Sequence, residues 1–223
     1  MSYDLVPLWL SLKLATVTTV VLVLIGIPLA YRLAFSRART KPFWEALVSM
    51  PLVLPPTVLG FYILLLLSPG HALGAFLERV FDVRVVFSFP GLVIGSAIFS
   101  LPFMVNPVKA GFQNFPCALI EAAYTLGKSR RQTLMSVIIP NTKASLLTGI
   151  VMSFAHTMGE FGVVLMIGGG IPHQTRVASI AIYNEVEAMN YSAANFYSVV
   201  LVIFSLAALA LFYALYQRHG EVV

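Results

Sequence analysis

The chain has 223 residues, of which 59% are hydrophobic and only 10% charged, against roughly 45–50% and about 25% in ordinary soluble domains. Fourteen basic and nine acidic side chains cannot cover the surface of one such domain in water, so the missing surface must face lipid. A free-standing soluble enzyme, a disordered chain and a disulfide-stapled secreted domain are excluded, the last because Cys117 is the only cysteine.

Stretches free of charge mark the candidate spans. They run Leu14–Tyr31, Ala46–Leu77, Val85–Val108, Ala144–Gly159 with Phe161–Thr175 beyond one glutamate, and Ala188–Gln217. A helix needs about 20 apolar residues to cross a hydrocarbon layer of about 30 Å. Trimmed of turn-rich ends, these stretches predict five spans, at 9–34, 44–67, 90–112, 145–167 and 196–216. Met1–Trp9 has no positive n-region, and no small-x-small cleavage site follows it, so the first span is expected to stay as an anchor. Val177–Ala188 carries Asn184, Glu185 and Glu187 and is expected to form a short helix outside the membrane or lying at its surface.

Ten Lys and Arg residues fall on one side of this arrangement, between spans one and two, between three and four, and after span five; four fall on the other. The richer side should be cytoplasmic, with the N-terminus outside and the C-terminus inside. The net charge of +5 is thus a topology signal and does not point to nucleic acid.

In span two, Pro51-Leu52-Val53-Leu54-Pro55-Pro56 cannot form an unbroken helix, because each proline removes a donor and crowds the preceding turn. Such a break either packs against a neighbouring helix or lines a pathway. The inner segment Gln113–Lys143 is too long for a plain connection. Asn114 and Pro116 fit a helix start, Leu119–Leu126 reads as helix, and Gly127 fits its left-handed end. Ser129 suits the cap of a second helix, Arg130–Ile139, stopped by Pro140. Leu119, Leu126, Leu134, Val137 and Ile138 give this hairpin an apolar side, which suits either the inner leaflet or a cytoplasmic partner.

Span four ends His156-Thr157-Met158-Gly159-Glu160-Phe161-Gly162. Glu160 is the one acid in that apolar region, and acids inside a membrane are functional candidates. His156 lies one turn earlier on the same face, so a His–Glu hydrogen bond that pins two helices is one reading and an acid–base pair another. Polar side chains on the central spans are Ser49, Thr57, Ser100, Asn106, Ser153 and Thr157. Each either bonds its own helix backbone or offers a donor to a passing solute. The chain has no phosphate-binding G-x-x-x-x-G-K-[ST], no H-E-x-x-H and no G-x-S-x-G. Gly168-Gly169-Gly170 reads as an external turn.

Two sets of residues resemble a known family. Glu121-Ala122-Ala123, Gly127 and Ile139-Pro140 are similar to the EAA loop of ABC-importer membrane subunits. Pro51–Pro56 with Thr57-Val58-Leu59-Gly60, Gly159–Gly162, and Gly168–Pro172 with Thr175-Arg176 resemble the molybdate-transport permeases, nearly end to end. His156 stands where many of these have arginine, and Gly170 and His173 where asparagine and glycine are usual. The resemblance implies an all-α, polytopic membrane protein of the type I ABC-importer permease fold: one domain, residues 1–223, with a coupling hairpin at 113–143.

It further implies a multi-pass protein of the bacterial inner membrane that works as a homodimer, with two cytoplasmic ATPases and a periplasmic or lipid-anchored molybdate-binding protein. ATP and magnesium would be handled by the ATPase, with no cofactor, metal or catalytic residue on this chain. Glu121, Ala122, Ala123 and Gly127 would contact that ATPase. Ser49, Pro51, Pro55, Pro56, Thr57, Ser100, Asn106, Ser153, Thr157 and Glu160 would be the candidates for the translocation pathway. The rival expectations are a sulfate/thiosulfate or tungstate permease, an intramembrane enzyme using His156 and Glu160, and a structural or sensory subunit.

Overall fold

A computed structural model describes residues 4–81 and 84–220, and these are helical apart from turns and short connections. In chain order the helices are α1 Val6–Phe35, α2 Lys41–Ser49, α3 Pro56–Leu67, α4 Ala72–Phe81, α5 Phe89–Gln113, α6 Cys117–Thr125, α7 Arg130–Thr133, α8 Ile139–Asn141, α9 Lys143–Met158, α10 Gly162–Gly168, α11 Ala178–Glu187 and α12 Tyr191–Gly220. A short 3-10 turn, Met50–Leu52, follows α2, and a π-helical turn, Leu134–Ile138, links α7 to α8.

Helices α1, α5 and α9 make the centre. Gly26 of α1 lies on Met104 and Val105 of α5, and Leu14 clusters with Leu92, so α1 and α5 run parallel. Helix α9 returns antiparallel, with Gly149 against Met104 and Val108, and Gly111 of α5 against Ser145. Glycine and serine at these crossings let backbones approach closely, which is what holds helices together where lipid removes the hydrophobic drive. Leu22, Met104, Val105, Val108 and Phe112 fill the interior of this trio.

Among the described residues, three helices are each long and apolar enough to cross a membrane: α1, α5 and the stretch Tyr191–Ala210 of α12. The second expected span is not one kinked helix. Lys41–Leu52 and Pro56–Leu67 meet at 110°, a turn far sharper than one proline imposes, because Pro55 and Pro56 in succession remove two donors. The expected span 145–167 is likewise broken, into α9 and α10, at Gly159–Phe161. The last span begins earlier than expected, at Tyr191. The hydroxyl of Tyr197 within it donates to the Asp4 carbonyl at 2.8 Å, closing the two ends of the fold. Helix α11 forms over the segment expected to be a short helix, and its Ala178 N–H donates to Ser11 Oγ of α1.

The hairpin forms with one correction. Gly127 takes φ +77°, with Gly127 N–H bonded to the Tyr124 carbonyl and Lys128 N–H to that of Ala123, the paired bonds that close a helix on a left-handed residue. Ser129 and Gln132 form a reciprocal capping box. Pro140 does not stop the second helix. The preceding π turn, in which Ile139 N–H reaches the Leu134 carbonyl, makes room for the ring, and the chain continues through α8 to Thr142. Leu134, Val137 and Ile138 pack on the central core as an apolar side should. Leu119 and Leu126, expected with them, are exposed, because α6 turns Ile120 and Ala123 onto the core and leaves Leu119 and Leu126, two turns apart, on its outer face.

A side chain at Gly149 would meet Val108, Met104 Sδ and the Met104 carbonyl at 2.9–3.1 Å. Gly149→Val should force α5 and α9 apart and destabilise the protein by about 1–3 kcal/mol, read as a lowered thermal midpoint of the detergent-purified chain.

Candidate functional site

The two helix breaks abut each other. A Cβ on Gly162, the first residue of α10, would stand 2.7 Å from Pro56 Cβ at the start of α3, and Gly60 packs equally closely on Val163 and Met166. Non-helical backbone at membrane depth persists only where protein or a wet cavity covers it; here each break covers part of the other. On the far side, Val53, Pro55, Pro56 and Thr57 are exposed, Val53 by 86%.

Below the second break lies a polar cluster between α5 and α9. Ser100 Oγ is 2.9 Å from His156 Nδ1 and 2.9 Å from Thr157 Oγ1. Thr157 Oγ1 donates its proton to the Ser153 carbonyl at 2.9 Å. With that proton committed, Ser100 donates to Thr157 and accepts from His156 Nδ1–H. The ring stacks on Phe103 at 3.9 Å and touches Phe99 at 4.8 Å. Phe99 and Phe103 are one turn apart on α5 and form a clamp whose i, i+4 spacing around Ser100 is visible in the sequence but is not a signal for it by itself.

Glu160 sits in the break, 5% exposed. Its carbonyl accepts from Ser179 Oγ of α11 at 2.6 Å. Neither carboxyl oxygen has a hydrogen-bond partner among the described residues. Ser96 Oγ interacts with the carboxyl electrostatically, but neither group completes a hydrogen bond of normal geometry. The parallel register of α1 and α5 sets Thr18 level with Ser96, and its buried hydroxyl is unpartnered as well. The expected His156–Glu160 hydrogen bond does not form: the aromatic clamp and Ser100 turn the imidazole towards α5.

The structure divides the remaining candidates. Ser100, Ser153, Thr157 and Glu160 are buried between helices, as is Pro51, whereas Pro55, Pro56 and Thr57 lie on the exposed face of the first break. Ser49 and Asn106 are half-buried at a lower crossing, joined by a long 3.4 Å contact. Nearby, Lys109 pairs with Glu45 at 3.0 Å, tying α2 to α5. On the hairpin, Glu121 and Ala122 are exposed, Ala123 is turned inward at 4% exposure, and Gly127 has open space around it. At the other pole, Thr175 Oγ1 donates to the Gly168 carbonyl at 2.6 Å and accepts from Ile171 N–H. Gly169 and Gly170, both at positive φ, make this turn.

Residues 23–220 match the family model of the binding-protein-dependent transport system inner membrane component. The chain belongs to this family. It is 41% identical to the molybdenum transport system permease protein ModB of Azotobacter vinelandii, over 97% of this chain and 95% of that one. It is 32% identical to the sulfate transport system permease protein CysT of Salmonella typhimurium, over 88% of this chain and 70% of that one. The fold matches an inward-facing structure of the MetNI methionine ABC transporter with a TM-score of 0.74, covering 96% of this chain and 94% of that one at 17% identity. The all-α, polytopic permease fold of a type I importer follows.

Ser100→Ala should strand His156 Nδ1 in an apolar clamp and destabilise the protein by about 1–2 kcal/mol. Ser49→Ala, which removes only the long contact to Asn106, should be nearly neutral. Thermal midpoints of the two variants, measured side by side, check the contrast.

Proposed function

We propose that this chain is the membrane-spanning permease subunit of an ABC importer that carries molybdate across the bacterial inner membrane. The observation that carries the reading is the 41% identity to the Azotobacter molybdenum permease over nearly the whole of both chains. The weaker and less complete likeness to the sulfate permease ranks sulfate second.

The physical case fits a dianion. An oxyanion in hydrocarbon is prohibitive without compensating donors, and a deep cationic trap would hold it too tightly to release. The central helices carry hydroxyls and an amide in place of charge, at Ser49, Thr57, Ser100, Asn106, Ser153 and Thr157. Two copies of the chain, facing each other across the exposed Val53–Thr57 break, would form the pathway between them. The buried members of this set would then reach a solute only when α9 shifts against α5, as alternating access requires.

The drive would come from outside the chain. Two cytoplasmic ATPase subunits, which bind ATP and magnesium, would seat the hairpin 113–143 through Glu121 and Ala122, with Gly127 setting the turn behind them. Ala123 would act from the inner side by packing α6 on the fold. Closure of the ATPases would move the hairpin, which runs through Thr142 into α9 and so reaches the break at Glu160. A periplasmic or lipid-anchored binding protein would deliver molybdate from the other face, with the N-terminus on that side and the C-terminus in the cytoplasm.

Labelled molybdate uptake should require this gene and should yield to excess tungstate but not to sulfate; uptake indifferent to the gene would return the substrate to sulfate or another anion. Glu121→Lys should leave the protein in the membrane, cut uptake at least tenfold and weaken co-purification of the ATPase. Unchanged uptake in that variant would sink the docking role.

A further inference from the structure

The end of α1 and the hairpin enclose a cleft of about 890 Å³. Arg32, Arg37, Arg130 and Arg131 line it together with Tyr31 and Tyr124, and no acidic side chain does. Among the described residues the ion pairs are those of Arg84, Lys109 and Arg176; none of the four cleft arginines takes part. The floor is apolar and includes the buried Ile138.

The depth of the cleft follows from α1. The charge-free run Leu14–Tyr31, bounded by Lys13 and Arg32, rises about 27 Å at 1.5 Å per residue, close to the thickness of the hydrocarbon layer. Tyr31 and Arg32 therefore mark one polar boundary of the bilayer. Lys109 of α5 lies at nearly the same level in the parallel register. Tyrosine at the boundary and arginine just beyond it are the residues that anchor a helix among headgroups. Guanidinium groups bind phosphate through paired, charge-assisted hydrogen bonds.

We propose that this cleft binds the phosphate headgroup of an anionic phospholipid from the leaflet into which the hairpin projects. The lipid phosphate lies among the four guanidiniums, and its glycerol and upper acyl segments lie along the tyrosines and the apolar floor. A partner's acidic side chain needs neither a cleft of this volume nor a position at headgroup depth. The faces of α6 are also divided: Ile120 and Tyr124, one turn apart, look into the cleft, whereas Glu121 and Ala122 lie outside it and are exposed. A lipid seated there bridges α1 to the hairpin, so leaflet composition would tune the mobility of the element expected to receive the power stroke.

The test uses the full-length chain in mixed micelles with equal amounts of phosphatidylglycerol and phosphatidylcholine, reading retained lipid by native mass spectrometry. The wild type should retain phosphatidylglycerol preferentially. The Arg130→Gln, Arg131→Gln double variant should lose that enrichment by about fivefold for each guanidinium removed, as should the milder Arg32→Gln by about fivefold if the double variant does not fold. Lys143→Gln, a basic residue of the same side outside the cleft, should retain it. Equal enrichment in wild type and cleft variants overturns the proposal. Displacement of the lipid by excess inorganic sulfate at constant ionic strength would make the cleft a free-oxyanion site instead. Loss of ATPase co-purification with lipid retention intact would assign the guanidiniums to the protein partner.

Discussion

Inside a bilayer no water is available to satisfy a broken backbone, so every interruption of a spanning helix must be covered by something else. This chain interrupts two spans and sets the interruptions against one another, with Gly162 admitting Pro56 at a distance no larger residue would allow. The contact fixes α3 on α10, places Glu160 in a buried junction, and leaves the other flank of the proline break bare. Much of the remaining architecture, including the anchoring of Phe87 N–H on the Ile167 carbonyl at 2.8 Å, holds that junction in place.

The junction is joined to the hairpin through a single helix. Helix α9 follows α8 across the single residue Thr142 and carries Ser153, His156 and Thr157 up to the break. Its contact with α5 is made by small residues at one end and by shared hydroxyl protons at the other. A hydroxyl cluster of this kind can exchange donors with little energetic penalty, because each alternative hydrogen bond replaces a similar one. A tight apolar interlock resists sliding more strongly. The combination of close glycine packing and exchangeable polar contacts suits a helix that must shift without separating from its neighbour.

Among the described residues, six have a buried side-chain polar atom that completes no hydrogen bond, and four of them, Glu160, Ser96, Thr18 and Ser153, lie at the break or in the cluster beside it, whereas Thr133 and Arg176 lie elsewhere. Buried polar atoms without partners are costly, and most of them gather here, beside the broken backbone and within about one helical turn of the hydroxyl cluster. Their placement marks the region where the fold gives up local stability, consistent with a structure that changes shape there.

Much of this was legible in the residues alone. Composition and the spacing of charges determine that the chain lives in a membrane and approximately where its spans lie, because hydrocarbon thickness fixes helix length and excludes charge whatever the tertiary fold. Gly127 and Ser129 announce the hairpin turn, since backbone conformation and capping are local matters. Proline run and Glu160 announce breaks and a buried acid. Tertiary structure alone decided what those features meet. The 110° turn at Pro55–Pro56 depends on Gly162 across from it, the imidazole of His156 chose Ser100 and two phenylalanines over Glu160, and Pro140 was absorbed by a π turn instead of ending a helix. Four arginines from two distant segments became one cleft only when the hairpin folded back beside α1. These outcomes are set by contacts between residues far apart in the chain, where several local choices are nearly equal in energy and packing selects among them.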